Sequence, residues 1–376
     1  MPDLKSENIK RIVVRGTNWV GDAMMTLPAL RELRCLFPAA HITLATRSLV
    51  SGLFEDSDFL DELLIHDRRG LGSVLQQVRE WRRRRFDLAV LFQNSFEAAL
   101  LASAARVPMR IGYATEGRGV LLSNPVPLPA WRDSNHEVFY YLNIVAEIER
   151  CFGGKTSLLQ RDPDCTLSVS DNRRAEAREL LRANRVSGRH PIIALCPGST
   201  NSRAKRWPAE RYALLADRLM AECGAEVLLV GSPTEADVSL QVGSLMRQKP
   251  IMLTGKTDLA QAVAVLSLVD LIVTNDTGPA HVASALGCPT LVIFGPTNPL
   301  TTRPFSPVAE IVRHPPDCAP CMLRDCPIDH RCMTAISPDE VFTRAQLLLE
   351  KQNIATATQT HPESAEISKE LIEANG

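Results

Sequence analysis

The sequence predicts an α/β protein built from two Rossmann-like domains with parallel sheets, and three observations lead there. The chain has 376 residues, which at roughly 100–200 residues per domain calls for two. Its hydrophobic fraction of 45% is enough for two ordinary cores. Short β-rich runs alternate with helical periodicity along most of its length, the pattern of βα units rather than of sandwiches or bundles.

The first series opens with a strand at 9–16 (IKRIVVRG), continues through a helix at 20–37, a strand at 41–47 (HITLATR) and a strand at 86–94 (FDLAVLFQN). The second opens at 190–199 (HPIIALCPGS) and runs through AEVLLVGS, PIMLTG, DLIVTND and PTLVIFGP, with an amphipathic stretch at 207–223. Between them, 153–189 is polar and charged, and a fresh β-α series starts directly after it. The junction is placed near 185–189, giving domains 1–187 and 188–351. Ser337 and Glu340 fit a capping box opening a last helix at 338–351. The tail 352–376 is polar and weakly patterned and is expected to be disordered.

Composition excludes several classes. A formal charge of −1 argues against a nucleic-acid binder, whose phosphate contacts show as basic excess. No apolar run is long enough for a spanning helix. The N-terminus is polar and has no signal-peptide pattern, so a reduced, cytoplasmic setting is expected.

Two Rossmann-like halves leave a cleft, and ligands of open α/β sheets bind beyond the carboxyl ends of strands. The chemistry-bearing loops follow strands here. In the first, residues 15–34, Gly16 and Gly21 bracket a turn and Asp22 starts a helix. Asp22 reads either as a helix cap or as a general base at the cleft mouth. Trp19 reads as a core anchor or as an exposed sugar platform, with core packing slightly favoured. The turn has no G-x-G-x-x-G, which disfavours a nicotinamide dehydrogenase. The second loop, CPGSTNSRAKRWP at 196–208, offers Ser199 and Thr200 hydroxyls and the cations Lys205 and Arg206 to phosphate oxygens. The third, VTNDTGPAHVASALGCPT at 273–290, sets Asp276, Thr277 and Gly278 at a strand end. A helix there aims its free N–H groups into the cleft, an arrangement suited to a diphosphate. His281 lies one turn inside that helix. In the fourth, VGSPTEADV, Glu235 is placed to accept from ribose hydroxyls or simply to sit in a helix's first turn.

These segments, NWVGDAMMTLPALRELR, PGSTNSRAKRWP, VGSPTEADV and TNDTGPAHVASALGCPTLVIFGPTNP, resemble in order and spacing glycosyltransferase family 9, the ADP-heptose:lipopolysaccharide heptosyltransferases, over residues 9–349. The W-V-G-D form of the first loop is most similar to heptosyltransferase II. The resemblance implies a GT-B fold and inverting transfer from ADP-heptose with no catalytic metal or other cofactor. It implies Asp22 as general base, and Lys205 and Thr200 on the donor diphosphate with main-chain help from Thr277 and Gly278. It further places Asp276 on the heptose, Glu235 on the adenosine ribose and Thr257 beside the adenine. His281 is left as support or phosphate contact, and Trp19 and Gly21 belong to the acceptor loop. The implied acceptor is a Kdo2-lipid A-type molecule at the inner leaflet of the inner membrane. Another heptosyltransferase or GT-B nucleotide-sugar enzyme is the alternative. A two-domain solute-binding protein is a third reading, which a missing signal peptide disfavours.

The charge divides by half. Residues 1–185 carry 26 basic and 23 acidic side chains, and the remainder carries 16 and 20. A slightly basic acceptor half suits an anionic membrane surface, with Arg68, Arg69 and the run 82–85 as candidate contacts or, more simply, solvated helix ends. Of ten cysteines, Cys318, Cys321, Cys326 and Cys332 form C-x2-C-x4-C-x5-C. Three readings stay open for them: a structural metal site, unmetalled packing, or a labile disulfide.

Overall fold

The computed structural model describes residues 6–67 and 70–360. Its strands are β1 (Arg11–Arg15), β2 (His41–Thr46), β3 (Glu62–Ile65), β4 (Leu88–Leu91), β5 (Met109–Tyr113), β6 (Asn124–Val126), β7 (Ile192–Cys196), β8 (Glu226–Leu229), β9 (Ile251–Met252), β10 (Leu271–Asn275), β11 (Thr290–Ile293) and β12 (Ala309–Val312). They form two six-stranded sheets, ordered β3-β2-β1-β4-β5-β6 and β12-β11-β10-β7-β8-β9. Read from its other edge, the second has the same doubly wound order as the first. Every pairing is parallel, with Ile12 opposite Ile42 and Leu88 in the first sheet and Thr274 opposite Cys196 in the second.

The central strands are buried along nearly their whole length, which is why IVV, LAVL, IIALC and LIVTN read as continuous apolar runs rather than alternating ones. The sheet order fixes where a ligand can go. It reverses between β1 and β4 and between β7 and β10, and the loops after β1, β7 and β10 open at those switch points.

Four strands carry no strong sequence signal: β3, β5, β6 and β12. Three of them are sheet edges, and β3 and β12 are only half buried, so neither needs a long apolar run. β5 is interior but contains Arg110 and Gly112, which break its pattern. The helix expected over 20–37 is two helices, Val20–Met25 and Leu27–Leu36. Pro28 has no N–H to offer the carbonyl of Met24, and the chain breaks at Thr26, whose hydroxyl turns back to the Ala23 carbonyl at 2.7 Å. The last helix also runs further than expected, Pro338–Thr360 instead of stopping at 351; the rest of the tail, 361–376, lies outside the described residues. Half of the expected capping box forms there: Glu340 N donates to Ser337 Oγ at 3.2 Å, while the Glu340 carboxylate pairs with His314.

Between the sheets, the chain crosses early. Leu167 N donates to the Ala285 carbonyl at 2.9 Å, and the helix Asp171–Ala183 packs on the helix Leu259–Leu266 of the second sheet's layer. Asp56, on the first unit, accepts from Ser170 N at 3.1 Å and pairs with Arg173 at 2.5 Å. The halves come into tight backbone contact at Gly52, where an added Cβ would stand 2.6 Å from Ala260 N.

That approach yields a stability prediction. Gly52→Ala must move backbone and is expected to cost about 1–3 kcal/mol, read as a lower urea midpoint. Gly72→Ala, where an added Cβ meets nothing within 4 Å, is expected to leave the midpoint unchanged or raise it. Equal midpoints for the two variants would show that the Gly52 contact is not tight.

Candidate active site

The second unit builds one wall of the cleft around a buried carboxylate. Asp276 follows β10 and is 3% exposed. A charge so buried needs partners, and Lys205 Nζ approaches Asp276 Oδ2 at 2.8 Å and its carbonyl at 3.1 Å, while Thr297 Oγ1 donates to the same Oδ2 at 2.6 Å. The loops after β7, β10 and β11 thus meet at one oxygen. Asn275, fully buried, does similar work beneath. Its Nδ2 donates to the Pro197 and Gly198 carbonyls at 2.9 and 3.1 Å, and its Oδ1 accepts from Trp207 N and Tyr212 OH, each at 3.1 Å. The small-residue turn Pro197–Gly198 is therefore pinned beside the strand end.

Directly after Asp276, Thr277 is the N-cap of the helix Gly278–Ala285 and gives no side-chain cap bond, so the first N–H groups are not taken by its hydroxyl. That helix end and Lys205 supply positive potential at the same spot. Thr200 sits in a hydroxyl group with Ser232 and Thr234, at 3.4 and 3.5 Å. Glu235 is buried and closes a capping box, accepting from Ser232 N and Oγ at 2.8 Å each. An added Cβ at Gly198 would stand 2.5 Å from Glu235, so this carboxylate underlies the Gly198 turn as well. Thr257 is half buried next to Asp258, the N-cap of Leu259–Leu266.

The first unit brings the opposing wall. The helix Val20–Met25 starts against the helix Gly278–Ala285: a Cβ at Gly278 would meet Val20 Cγ1 at 2.7 Å, and one at Gly21 would meet the His281 ring at 3.5 Å. What approaches Gly21 in this structure is thus a side chain of the other half. His281 is buried, and burial pushes its pKa down to about 4, so the ring is neutral at pH 7. Trp19 is 45% exposed, which overturns the core-packing reading. It is the N-cap residue, so the cap reading of Asp22 also fails: Asp22 lies in the first turn, and no described side chain or backbone group hydrogen-bonds its carboxylate.

Burial raises the Asp22 carboxyl above the ordinary carboxylate range, and the positive charges of Lys205 and Arg132 pull it partly back. The structure therefore brings Asp22 and Lys205, 183 positions apart in the chain, into one electrostatic field across the cleft. Arg132 was not visible as a site residue. It pairs with Glu137 at 2.6 Å and lies over the Tyr140 ring at 4.2 Å, and Tyr140 OH accepts from Asn94 Nδ2 at 2.6 Å. These residues come from the loop after β4, the segment after β6 and the start of the helix Glu137–Gly153, and no motif joins them. The one sequence cue is His136 and Glu137 at a helix start, where His136 Nδ1 accepts from Val138 N at 3.2 Å.

Of the candidate membrane contacts, Arg68 and Arg69 lie outside the described residues. Arg82, Arg83 and Arg84 end the helix Leu71–Arg84; Arg83 pairs with Glu80 at 2.9 Å, and Arg84 pairs with Glu80 and Glu62. That is the arrangement of a charged helix end. Among the described residues, no helix is long and apolar enough to cross a membrane, and no group of three or more Cys, His, Asp or Glu side chains is set to hold a metal ion.

Two Rossmann-ordered sheets whose carboxyl edges meet across a carboxylate on one side and a cation with a helix N-terminus on the other define an α/β transferase of the GT-B type. Residues 74–331 match the family described as glycosyltransferase family 9 (heptosyltransferase). Lipopolysaccharide heptosyltransferase 2 of Salmonella typhimurium is 30% identical over 315 residues, covering 81% of this chain and 88% of that one. The protein of the same name from Escherichia coli K12 is also 30% identical over the same shares. The solved structure of E. coli ADP-heptose LPS heptosyltransferase II superposes with a TM-score of 0.79 at 28% identity, covering 92% of this chain and all of that one. A family 9 glycosyltransferase from Veillonella parvula gives 0.78 at 25%, covering 91% and 97%. The chain belongs to glycosyltransferase family 9, and it is a glycosyltransferase.

The Asp22 environment sets an expected pH dependence. A carboxylate accepts a proton only when ionised, so a role for Asp22 as base predicts a kcat/KM that falls as pH drops through its raised pKa. Arg132→Ala removes a charge that favours the carboxylate and unpairs Glu137, and both changes push the acid limb to higher pH. A pH–rate profile of this variant with an unmoved or lower acid limb would refute the coupling.

Proposed function

We propose that the enzyme moves L-glycero-D-manno-heptose from ADP-heptose, with inversion, to the heptosylated Kdo2-lipid A inner core, as a heptosyltransferase II. The observation that carries the reading is the opposition of Asp22, half buried and free of hydrogen bonds, to the Lys205–Asp276 pair and the Gly278 helix start. The names of the relatives support the donor and the acceptor class.

In this reading the unit 1–187 binds acceptor and the unit 188–351 binds donor. The departing ADP gains negative charge in the transition state, and Lys205 with the N–H groups after Thr277 meets it without reorganising. Thr200 and the neighbouring hydroxyls hold phosphate oxygens, while Asp276 accepts from heptose hydroxyls. Glu235 sits at the ribose and Thr257 at the adenine. Glu235 already accepts from Ser232, so its share in the ribose contact falls to the other oxygen or follows a rearrangement of the box. His281, neutral and packed on Gly21, supports the seam between the halves. On the opposite face Asp22 takes the proton of the attacking hydroxyl. Its raised pKa makes it a stronger base than a solvated carboxylate while Lys205 and Arg132 keep it ionised. No metal enters this mechanism. Trp19, exposed on the acceptor side, offers an aromatic face to a sugar. The enzyme acts in the cytoplasm at the inner leaflet of the inner membrane, where that acceptor is presented.

The test is incubation with ADP-heptose and monoheptosylated Kdo2-lipid A, following ADP release and the mass of the acceptor. A gain of one heptose is expected. ADP release only with an acceptor that lacks heptose would assign heptosyltransferase I instead. Asp22→Asn is expected to lower kcat by about 10²–10⁴ while ADP-heptose affinity stays near wild type. Wild-type turnover by this variant would remove Asp22 from the role of base.

A further inference from the structure

The cysteine cluster stands apart from the transfer chemistry, yet it is built against the donor wall. Cys318, Cys321, Cys326 and Cys332 all line one cavity of about 20 Å³, closed on the protein side by Ala204 and Pro296. That is room for one water-sized or smaller occupant, and the lining offers four sulfurs to it. No disulfide joins them: Cys332 is buried, Cys321 half buried, and Cys318 and Cys326 exposed. The backbone is shaped around the cluster as well. Met322 and His330 adopt left-handed φ of 56° and 59°, each turning the chain back beside a cysteine, and His330 N donates to Cys326 Sγ at 3.3 Å. A backbone N–H aimed at the sulfur is the kind of outer partner that holds a ligating cysteine in place.

We propose that Cys318, Cys321, Cys326 and Cys332 form a structural site for one thiolate-preferring divalent metal ion, zinc or iron, that braces the donor wall. Four cysteines within 15 residues match the closed tetrahedral site made of four thiolates. As the side chains stand, no three of them converge at ligand distance. Binding therefore turns the exposed Cys318 and Cys326 inward onto the buried Cys332. The bracing follows from the contacts of the knuckle. Ala204 N donates to the Arg324 carbonyl at 2.9 Å, His330 Nε2 meets the Ala204 carbonyl at 2.6 Å, and Cys321 N and Met322 N both donate to the Pro296 carbonyl at 3.0 Å. Ala204 precedes Lys205 and Pro296 precedes Thr297, the two residues that bind Asp276. The ion's cavity is thus walled by the chain neighbours of both.

The test uses full-length protein purified under reducing conditions without chelator. About one zinc or iron per chain is expected by elemental analysis. Cobalt(II) reconstitution should show thiolate-to-metal charge transfer and tetrahedral ligand-field bands. Cys318→Ser/Cys326→Ser, at exposed positions that a folded chain tolerates, should lose both the metal and the bands, whereas Cys35→Ser/Cys151→Ser should keep them. Hydrogen–deuterium exchange at residues 202–206 should rise when the metal is removed. Reduced protein that takes up neither zinc nor cobalt, uptake that survives the Cys318/Cys326 variant, or a cluster disulfide in place of the ion would each overturn the site. Metal loss without faster exchange at 202–206 would overturn the bracing role.

Discussion

The cleft wall built by the second unit depends on one buried carboxylate and the partners it collects. Asp276 has little contact with water, and an unpaired charge there would cost several kcal/mol. The cost is met by drawing Lys205 from the loop after β7 and Thr297 from the loop after β11 onto a single oxygen. Three loops that would otherwise move independently are thereby given one geometry. Asn275 repeats the device with a neutral amide one residue earlier, so that the turn at Pro197–Gly198, the start of Trp207 and the Tyr212 hydroxyl are located from the same strand end. The parallel sheet beneath supplies rigidity, and these two side chains convert it into position.

Much of this was legible in the sequence because the fold and the donor loops are written in contiguous residues. Parallel, fully buried strands leave unbroken apolar runs, and loops at switch points leave small residues, hydroxyls and charges just after them. The four site segments were found that way, and the GT-B expectation agrees with the two sheets and with the relatives. The edge strands and β5 were not legible, since half-buried strands need no apolar run. The break at Thr26 was written in Pro28 and was passed over because the apolar periodicity continues through it. From sequence Trp19 reads either as a core anchor, slightly favoured, or as an exposed sugar platform, and only the structure shows it as the exposed cap of a helix. Arg132, Glu137, Tyr140 and Asn94 were invisible for a different reason. They converge through tertiary packing of two loops and a helix start, and nothing in their spacing announces it.

Electrostatically the two walls are unlike. The second unit meets its ligand side with a cation and a helix end, while the first offers a carboxylate on which burial and charged neighbours pull in opposite directions. Burial works against the Asp22 charge, and Lys205 and Arg132 work for it. Arg132 in turn is held by Glu137 and by the Tyr140 ring. A carboxylate in such a balance responds to whatever enters the cleft: an incoming anion beside Lys205 reduces the support that Lys205 gives and strengthens Asp22 as a proton acceptor. An anion beside Lys205 and the basicity of Asp22 are coupled through that cation.

The seam between the halves at Val20 and Gly278 has a kinetic meaning. There the helices Val20–Met25 and Gly278–Ala285 join one buried apolar cluster that includes Met24, Met25, Val282 and Ala283. Apolar contact carries no preferred direction, so this junction by itself sets no single angle between the halves. The angle is set by the polar crossings, Leu167 N to the Ala285 carbonyl and His136 Nε2 to the Arg303 carbonyl, so relative motion of the halves waits on those bonds.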